Sequence, residues 1–331
     1  MNFKFLVFFF ALVILVTSCA ENNKGSGNTS RKEKKSFVTA PIFNSDSAYY
    51  FVEKQVMFGP RVPGTNAHAK CASWLVEKLN SYSDTVIVQA FKARTYDGIT
   101  RNGKNIIASF NPENKSRILL MAHWDSRPFA DYCEDSSKHN SPIDGANDGA
   151  SGVGVLLEMA RQFKIEKPGI GIDIVLFDLE DWGPPTQLEL SKTEYWGLGA
   201  QYWSKNQHIY GYSARYGILL DMVGTKNPVF PREYFSQQYA GFVMDIVWGI
   251  AEDLGYKDYF VNQQGSPIND DHYFVNTIAK IPSIDIIHLD RETSNQSFFE
   301  HWHTSDDTMD NIDKSTLKVV GHVVLTVVYN E

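Results

Sequence analysis

The chain has 331 residues, a formal net charge of −8 at pH 7 and 13% aromatic residues. This length and composition are typical of a globular protein with a large buried core. The negative charge, with no basic run beyond the N-terminal segment, argues against a nucleic-acid-binding protein. The sequence has no Cys-x-x-Cys and no Cys–His metal spacing, so a bound metal would take oxygen and imidazole ligands.

Residues 1–18 have the pattern of an export signal. Lys4 precedes an apolar run over residues 5–16 that is too short for a membrane-spanning helix. The ending Val16-Thr17-Ser18-Cys19 resembles a bacterial lipobox, which implies cleavage before Cys19 and lipidation of its thiol. An ordinary secretory signal with an incidental cysteine is the alternative. We therefore expect an exported lipoprotein at the periplasmic face of the inner or outer membrane, attached to the membrane only through this lipid.

Residues 19–40 are predicted to form a disordered tether, because they are polar, contain glycine and serine, and then become basic. A single folded domain is expected over residues 41–331, since no repeat or further linker follows. An oxidising compartment permits a disulfide between Cys71 and Cys133, and the sequence leaves that pairing open.

Helices and strands alternate through the folded part. Helical spacing of apolar residues predicts helices over residues 46–58, about 65–79, 153–163, 233–254 and 314–329. Apolar runs predict strands over residues 84–91, 104–110, 117–122, 173–179, 216–220 and within 279–289. Asp97-Gly98 and Asn102-Gly103 predict turns between the first two strands. This alternation predicts an α/β fold with a mostly parallel central sheet.

Residues able to do chemistry follow the ends of these predicted strands. They are His123 and Asp125, Glu180 and Asp181, Asp221, and His288, joined by Asp148 before a helix and His303 in the last loop. Each has an ordinary alternative, such as a helix cap, a core histidine or a solvated acidic turn. Ligands of open α/β sheets bind at the carboxyl ends of the strands. Because carboxylates and imidazoles from separate loops are typical of catalytic zinc, we predict a metal site for hydrolysis or group transfer.

Six motifs occur in an order that resembles the zinc exopeptidase family of co-catalytic aminopeptidases. They are HWD at 123–125, GANDGASG at 145–152, LED at 179–181, LLDMVG at 219–224, DDHYF at 270–274 and WHTSDDT at 302–308. The motifs are more similar still to one branch of it, the animal-type glutaminyl-peptide cyclotransferases, or glutaminyl cyclases. This resemblance implies a three-layer α/β/α sandwich around a mixed, mostly parallel sheet, with residues 41–331 as a zinc-dependent catalytic domain.

The resemblance also implies the roles of the central residues. One zinc per chain would be bound by Asp148, Asp181 and His303, with a fourth position open for substrate. Asp181 stands where many relatives have glutamate. Glu180 would be the general acid/base, and Asp221 and Asp270 would form a hydrogen-bonded carboxylate pair that shares a proton with it.

The surrounding residues follow from the same resemblance. Trp302, His288, Phe298 and Trp196 would contact substrate, with Trp182 as a further candidate for stacking on it, and His123 and Asp125 would support the ligands.

The expected reaction converts the N-terminal glutamine of a peptide or protein to pyroglutamate and releases ammonia. A two-zinc aminopeptidase is the alternative, because its extra ligands match His123 and Asp221, which are both present. A non-enzymatic surface lipoprotein of the same fold is the third hypothesis.

Overall fold

The computed structural model of the chain describes residues 38–188, 190 and 192–331. The predicted signal peptide, Cys19 and most of the predicted tether lie outside the described residues. Among the residues that are described, no helix is both long and apolar enough to cross a bilayer. Cys71 and Cys133 are free thiols, so the structure contains no disulfide between them.

The described part of the chain forms seven helices and eight strands, besides short 3-10 turns and one π-helical turn. The helices are α1 Ser45–Val56, α2 Asn66–Tyr82, α3 Ala150–Ile165, α4 Leu198–Lys205, α5 Tyr234–Asp253, α6 Asp271–Phe274 and α7 Lys314–Tyr329. The strands are β1 Thr85–Arg94, β2 Thr100–Phe110, β3 Arg117–His123, β4 Gly171–Phe177, β5 Gly217–Asp221, β6 Phe230–Arg232, β7 Phe260–Gln264 and β8 Ser283–Ile287.

Six of the strands form one mixed sheet in the order β1-β2-β4-β3-β5-β8. The pairings β1–β2 and β2–β4 are antiparallel, whereas β4, β3, β5 and β8 run parallel to one another. The predicted mixed, mostly parallel sheet is therefore confirmed. Its four parallel strands bring the predicted strand exits to one edge.

Helices cover both faces of the sheet, as the three-layer prediction requires. The strand residues alternate between the faces with a period of two. Ile118 and Leu120 of β3 belong to the large core formed with α1, α2, α3, α5 and α7. Leu119 and Met121 point to the smaller core, which includes Trp203 of α4 and Phe274 of α6. All seven residues of β3, and likewise of β4, are buried, which explains their nearly continuous apolar sequence.

The predicted turn at Asn102-Gly103 is wrong, because both residues lie inside β2. The glycine is needed there for close packing rather than for a turn. The ring of Phe91, which pairs with Gly103 across the strands, would lie 2.3 Å from a Cβ at that position. The chain instead turns between β1 and β2, where Gly98 has a φ of 79°.

Candidate active site

Three side chains from different elements converge at the carboxyl edge of the parallel strands. Asp181 follows β4, Asp148 precedes α3, and His303 lies in the loop before α7. One ligand atom from each residue lies within 4.8 Å of the others, and all three residues are buried. His303 Nε2 is 3.2 Å from Asp181 Oδ1 and 3.6 Å from Asp148 Oδ2. The three residues predicted to bind zinc are therefore brought together.

The chemistry of these donors fits a divalent cation. Burial raises the pKa of Asp181, and the neighbouring Asp148 carboxylate raises it further, against the opposing effect of His303. Asp181 Oδ2 is buried and has no hydrogen-bond partner in the described part of the chain. Burying two carboxylates, one of them with an unused oxygen, beside an imidazole is favourable only when a positive charge is shared among the three groups.

A second cluster shares Asp148 with the first. His123 Nε2 lies 3.0 Å from Asp148 Oδ1 and 3.3 Å from Asp221 Oδ1. Burial lowers the pKa of His123, but hydrogen bonds to Asp125, Asp148 and Asp221 outweigh burial and raise the pKa well above its usual value. The Nε2 atom of the ring therefore lies within hydrogen-bond distance of both carboxylates, and these three residues could also hold a metal ion.

Backbone amides fix the orientation of both ligand loops. Asp125 accepts hydrogen bonds from the backbone N–H groups of Glu180 and Asp181, at 3.2 and 3.3 Å. Asp307 accepts from those of Asn147 and Asp148, at 2.7 and 3.0 Å. The predicted supporting position of Asp125 agrees with this geometry, whereas Asp307 was not singled out from the sequence.

The helix that follows Asp148 is capped by Gly149 rather than by the aspartate. Gly149 is the N-cap residue of α3 and has a φ of 89°. A Cβ at this position would lie 2.7 Å from the carbonyl oxygen of Asp125. The cap alternative for Asp148 is therefore wrong, and its carboxylate is free to face the site.

Three of the seven non-glycine residues with a positive φ in the described part of the chain lie at the site. Leu179, Met222 and His303 all have positive φ angles, of 58°, 49° and 55°. They are the residue before Glu180, the residue after Asp221 and one of the three metal-ligand candidates. Non-glycine residues pay a steric cost in this region, and such positions are typical of functional sites.

A cavity of about 360 Å³ opens directly onto the cluster. Its floor includes Asp148, Glu180, Asp181, Asp221, Asp270 and His303, and its walls include Trp196, Phe298 and Trp302. Three of the four residues predicted to contact substrate therefore line it. The indole of Trp302 stacks on the His303 ring at a centroid distance of 3.7 Å, and Trp196 lies parallel to the same ring at 6.2 Å.

His288 and Trp182 are not part of this cavity. His288 lines a different cavity, and its Nδ1 lies 3.1 Å from Thr225 Oγ1. Burial lowers the pKa of His288 to about 4. The prediction that His288 contacts substrate stays a prediction, and the structure places this residue one position after β8, in the lining of the other cavity. Trp182 instead packs its ring against the Arg101 guanidinium, 3.6 Å from the ring centroid.

Glu180 is the acidic group suited to proton transfer. It is 9% exposed, at the floor of the cavity. Burial raises its pKa well above the usual value, with a further increase from Asp181 and Asp270 and an opposing effect of His123. A carboxyl group with a raised pKa is able to accept and return a proton near neutral pH.

Asp221 and Asp270 flank Glu180 in the same cavity. Burial raises the pKa of Asp221 to about 7, and the nearby Asp270 carboxylate contributes to the increase. Asp270 also caps α6, where one of its oxygens accepts from the backbone N–H of Asp271. The hydrogen-bonded pair of Asp221 and Asp270, sharing a proton with Glu180, stays a prediction, and both carboxylates line the same cavity.

An ion pair that the sequence did not reveal supports two of the metal-ligand candidates. Arg127 forms a two-pronged pair with Asp131, at 2.8 and 2.7 Å, and its Nη1 lies 3.4 Å from Asp181 Oδ1. Asp131 Oδ1 is 3.8 Å from His303 Nδ1. Both residues lie in a polar loop, and only their spacing of four residues hinted at a pair.

A comparison with known families agrees with this geometry. The family described as peptidase family M28 matches residues 105–328. The chain belongs to peptidase family M28. The site described above, from His123 to His303, lies within the matched region of this M28 chain.

Two solved structures resemble this M28 chain over most of its length. Bacteroides thetaiotaomicron glutaminyl cyclase, bound to N-acetylhistamine, is 49% identical with a TM-score of 0.86, covering 88% of this chain and 100% of that one. A Zn-dependent exopeptidase from Parabacteroides distasonis is 50% identical, with the same TM-score and coverage. The glutaminyl-peptide cyclotransferase of Bos taurus is 26% identical over 80% of this chain and 76% of its own.

Proposed function

We propose that this M28 protein is a glutaminyl-peptide cyclotransferase, which converts N-terminal glutamine of peptides and proteins to pyroglutamate and ammonia. The observation that carries the proposal is the cavity itself, where Glu180 and the Asp148–Asp181–His303 cluster lie beneath aromatic walls. The similarity to a solved glutaminyl cyclase over 88% of the chain supports the same activity. Peptides bearing N-terminal glutamine are the partners that this activity requires.

We assign one zinc ion per chain to Asp148, Asp181 and His303, whose donor atoms fit it. When bound, zinc supplies Lewis-acid polarisation of a carbonyl group. The resemblance to the cyclases assigns Asp221 to a pair with Asp270, and this assignment leaves one metal position rather than two; both carboxylates line the cavity. The similarity to a Zn-dependent exopeptidase supports the choice of metal.

Glu180 moves the proton in this mechanism. The neutral α-amine of the substrate attacks its own side-chain carbonyl carbon, forming the ring N–C bond. Glu180 takes the proton from that amine and delivers it to the amide nitrogen, whose bond to carbon breaks to release ammonia. Asp221 and Asp270 stabilise the positive charge that develops on the attacking amine, because their carboxylates lie in the same cavity, and the charge of Asp270 favours the protonated form of Glu180.

The aromatic walls bind and orient the substrate. Trp302, Phe298 and Trp196 enclose a space of about 360 Å³, which suits one terminal residue and the start of the next. Enclosing the glutamine excludes water, which is needed because water at the carbonyl carbon would give glutamate instead of the ring.

The activity is tested by incubating zinc-loaded protein with a Gln-initiated peptide and following peptide mass and ammonia. Cyclisation predicts a loss of about 17 mass units together with one ammonia per peptide, because the α-amine displaces the amide nitrogen. Release of free glutamine would instead show an aminopeptidase. A peptide beginning with alanine is the matched substrate control and should remain intact.

The aminopeptidase is the second candidate, and the cluster of His123, Asp148 and Asp221 is the observation that favours it. In that reaction a second metal would replace the proton of His123 between the two carboxylates. Metal analysis of the purified protein separates the candidates, since two zinc ions per chain would contradict the single-zinc assignment.

The pH dependence of turnover tests the attacking group. A free α-amine titrates near pH 7.7–8.0, and only its neutral form attacks. We expect kcat/KM to rise through this pH range with a Gln-initiated peptide. A profile that stays flat from about pH 6 to 9 would contradict amine attack as the controlling step.

We also propose that the protein is an exported lipoprotein, with residues 1–18 removed, Cys19 lipidated, residues 19–40 as a tether and residues 41–331 as the catalytic domain. The apolar run and the Val16-Thr17-Ser18-Cys19 ending support this. Metabolic labelling with a radioactive fatty acid should mark the wild-type protein and not Cys19→Ser. Equal labelling of both would overturn the assignment.

A further inference from the structure

A second cavity, of about 640 Å³, is lined by His68, whose ring contacts Asp178 at the start of the turn that carries Glu180. It shares none of its lining residues with the catalytic cavity. The residues that matter are Thr65, His68, Lys92, Asn102 and Lys104. The proposed reaction uses none of them.

His68 is a buried polar group aimed into this cavity. The residue is only 4% exposed, and its Nε2 lies 2.9 and 3.0 Å from the two oxygens of Asp178. The Trp124 ring stacks on the imidazole at 4.3 Å, which fixes its orientation. His68 Nδ1 has no hydrogen-bond partner within the described ranges, so this nitrogen is the one left for a ligand in the cavity.

The cavity is also positively charged. Lys92 and Lys104 make no ion pair in the part of the chain that the structure describes, and no aspartate or glutamate of that part lines the cavity. On the β1–β2 ribbon Lys92 pairs with Asn102, and Ala90 pairs with Lys104. Alternate residues point to the same face of a strand pair, so the two lysines and Asn102 share a face.

The N-terminus of α2 adds to this field. Thr65, which caps the 17-residue helix, lines the cavity, and the first turn of the helix contains no acidic residue. The positive end of the helix dipole is therefore uncompensated at the same place. A helix terminus alone would not define a site, but here it coincides with the free nitrogen of a buried histidine and two unpaired lysines.

We propose that this cavity is a second ligand site, for a small oxyanion of the phosphate or carboxylate class. The bound oxyanion accepts hydrogen bonds from His68 Nδ1–H and from the ammonium groups of Lys92 and Lys104. His68 then joins the bound oxyanion to the Asp178 carboxylate through its two ring nitrogens. Asp178 also accepts from the backbone N–H of Leu179 at 2.8 Å, so the ligand is linked to the turn that carries Glu180.

The test is a titration of the zinc-loaded full chain, labelled with ¹⁵N-histidine, with inorganic phosphate at constant ionic strength. We expect a saturable shift of the His68 ring-nitrogen resonances to the doubly protonated position. Lys104→Met and Lys92→Met should each weaken phosphate binding at least ten-fold. Lys78→Met, on the same helix as His68 but outside the cavity, is the matched control and should bind as the wild type does. Turnover of a Gln-initiated peptide checks that each variant is folded.

Acetate and chloride complete the experiment. Acetate binding that also depends on Lys104 would identify the carboxylate class, and phosphate binding without acetate binding would identify the phosphate class. If chloride shifted the His68 resonances as much as phosphate does, the proposal would be overturned, because the shift would then reflect screening of charges by salt rather than binding of an oxyanion. The proposal is also overturned if phosphate competes with the peptide substrate and binds Lys104→Met as tightly as wild type, since phosphate would then occupy the catalytic cavity.

Discussion

Two buried polar clusters lie at opposite ends of strands β3 and β4, and they are built in opposite ways. At the amino ends, Arg117 and Asp173 pair at 2.5 and 2.9 Å, and the Asp173 carboxylate also accepts from Ser109 Oγ and Tyr212 Oη. At the carboxyl ends, Asp181 Oδ2 and His303 Nδ1 are buried and have no hydrogen-bond partner among the residues that the structure describes. One cluster is satisfied by its own side chains, whereas the other still needs a cation.

The difference separates a structural cluster from a functional one. A buried charge pair with all its hydrogen bonds holds the strands together and does nothing else. Carboxylates that face one another with an unused oxygen destabilise the empty fold and stabilise it only when a metal ion binds. The following variants test this distinction, from the largest expected effect to the smallest.

Glu180→Gln should have the largest effect, on catalysis alone. Loss of a general acid/base costs about 10²–10⁴-fold in rate, so cyclisation should fall by that factor while the zinc content stays at the wild-type level. Ammonia release and elemental analysis measure the two quantities. Glu77→Gln, an exposed position on α2, is the matched control and should be fully active. Loss of zinc from Glu180→Gln would show that Glu180, rather than Asp181, is the ligand.

Asp173→Asn should destabilise the fold strongly, whether or not zinc is present. Removing one partner leaves the buried Arg117 guanidinium uncompensated, which costs about 3–5 kcal/mol in the free energy of unfolding. Urea denaturation with and without zinc measures it. Asp245→Asn, which breaks an exposed pair with Arg232, should cost at most about 1 kcal/mol. If the loss of stability in Asp173→Asn depended on zinc, the Arg117–Asp173 cluster would not be purely structural and the distinction between the two clusters would be wrong.

Asp181→Asn should leave the zinc-free protein as stable as wild type or more stable. The change removes a carboxylate whose pKa is raised by burial and by the facing Asp148 carboxylate, so both of these costs disappear. Wild type should gain about 2.7 kcal/mol when zinc is present at 100 times its dissociation constant. The variant should lose that gain. Destabilisation of the zinc-free variant would mean that this cluster is structural after all.

Asp131→Asn should have the smallest effect on zinc binding, besides the loss of stability expected from breaking its buried pair with Arg127. Carboxylates that orient a metal-binding histidine typically contribute 10–100-fold to affinity or activity, and Asp131 Oδ1 is 3.8 Å from His303 Nδ1. Competition with a fluorescent chelator should show zinc binding weakened about ten-fold or more. Asp135→Asn, exposed in the same loop, is the control. An unchanged zinc affinity would show that Asp131 stabilises its ion pair with Arg127 and does not contribute to metal binding.

The sequence was most informative where local pattern determines structure. The apolar runs of β3 and β4 predicted buried strands, and their exits predicted the convergence of His123, Asp181 and the other acidic residues. This works because parallel strands end at a common edge whatever the rest of the fold does. The order of the six motifs then separated Glu180 from Asp181, which composition alone could not do.

The sequence failed where a contact between distant residues decides the outcome. Asn102-Gly103 has the composition of a turn, but the Phe91 ring packs on Gly103 and keeps the strand continuous. Arg127 and Asp131 pair across four residues of a polar loop, but their contacts with Asp181 and His303, and those of Asp307 with Asn147 and Asp148, join positions that are distant in sequence. The sequence also could not predict which cavity His288 lines, since this depends on the contact between His288 and the distant Thr225 at the end of β8.

The stacked rings around His303 also make the site observable. The indoles of Trp302 and Trp196 both stack on the imidazole, with Trp302 at only 3.7 Å. When the ring binds a metal ion, the electric field at the adjacent indole changes, and tryptophan emission changes with it. The intrinsic fluorescence of the protein is therefore a built-in indicator of zinc occupancy, which allows metal binding to be followed in real time without a label or a substrate.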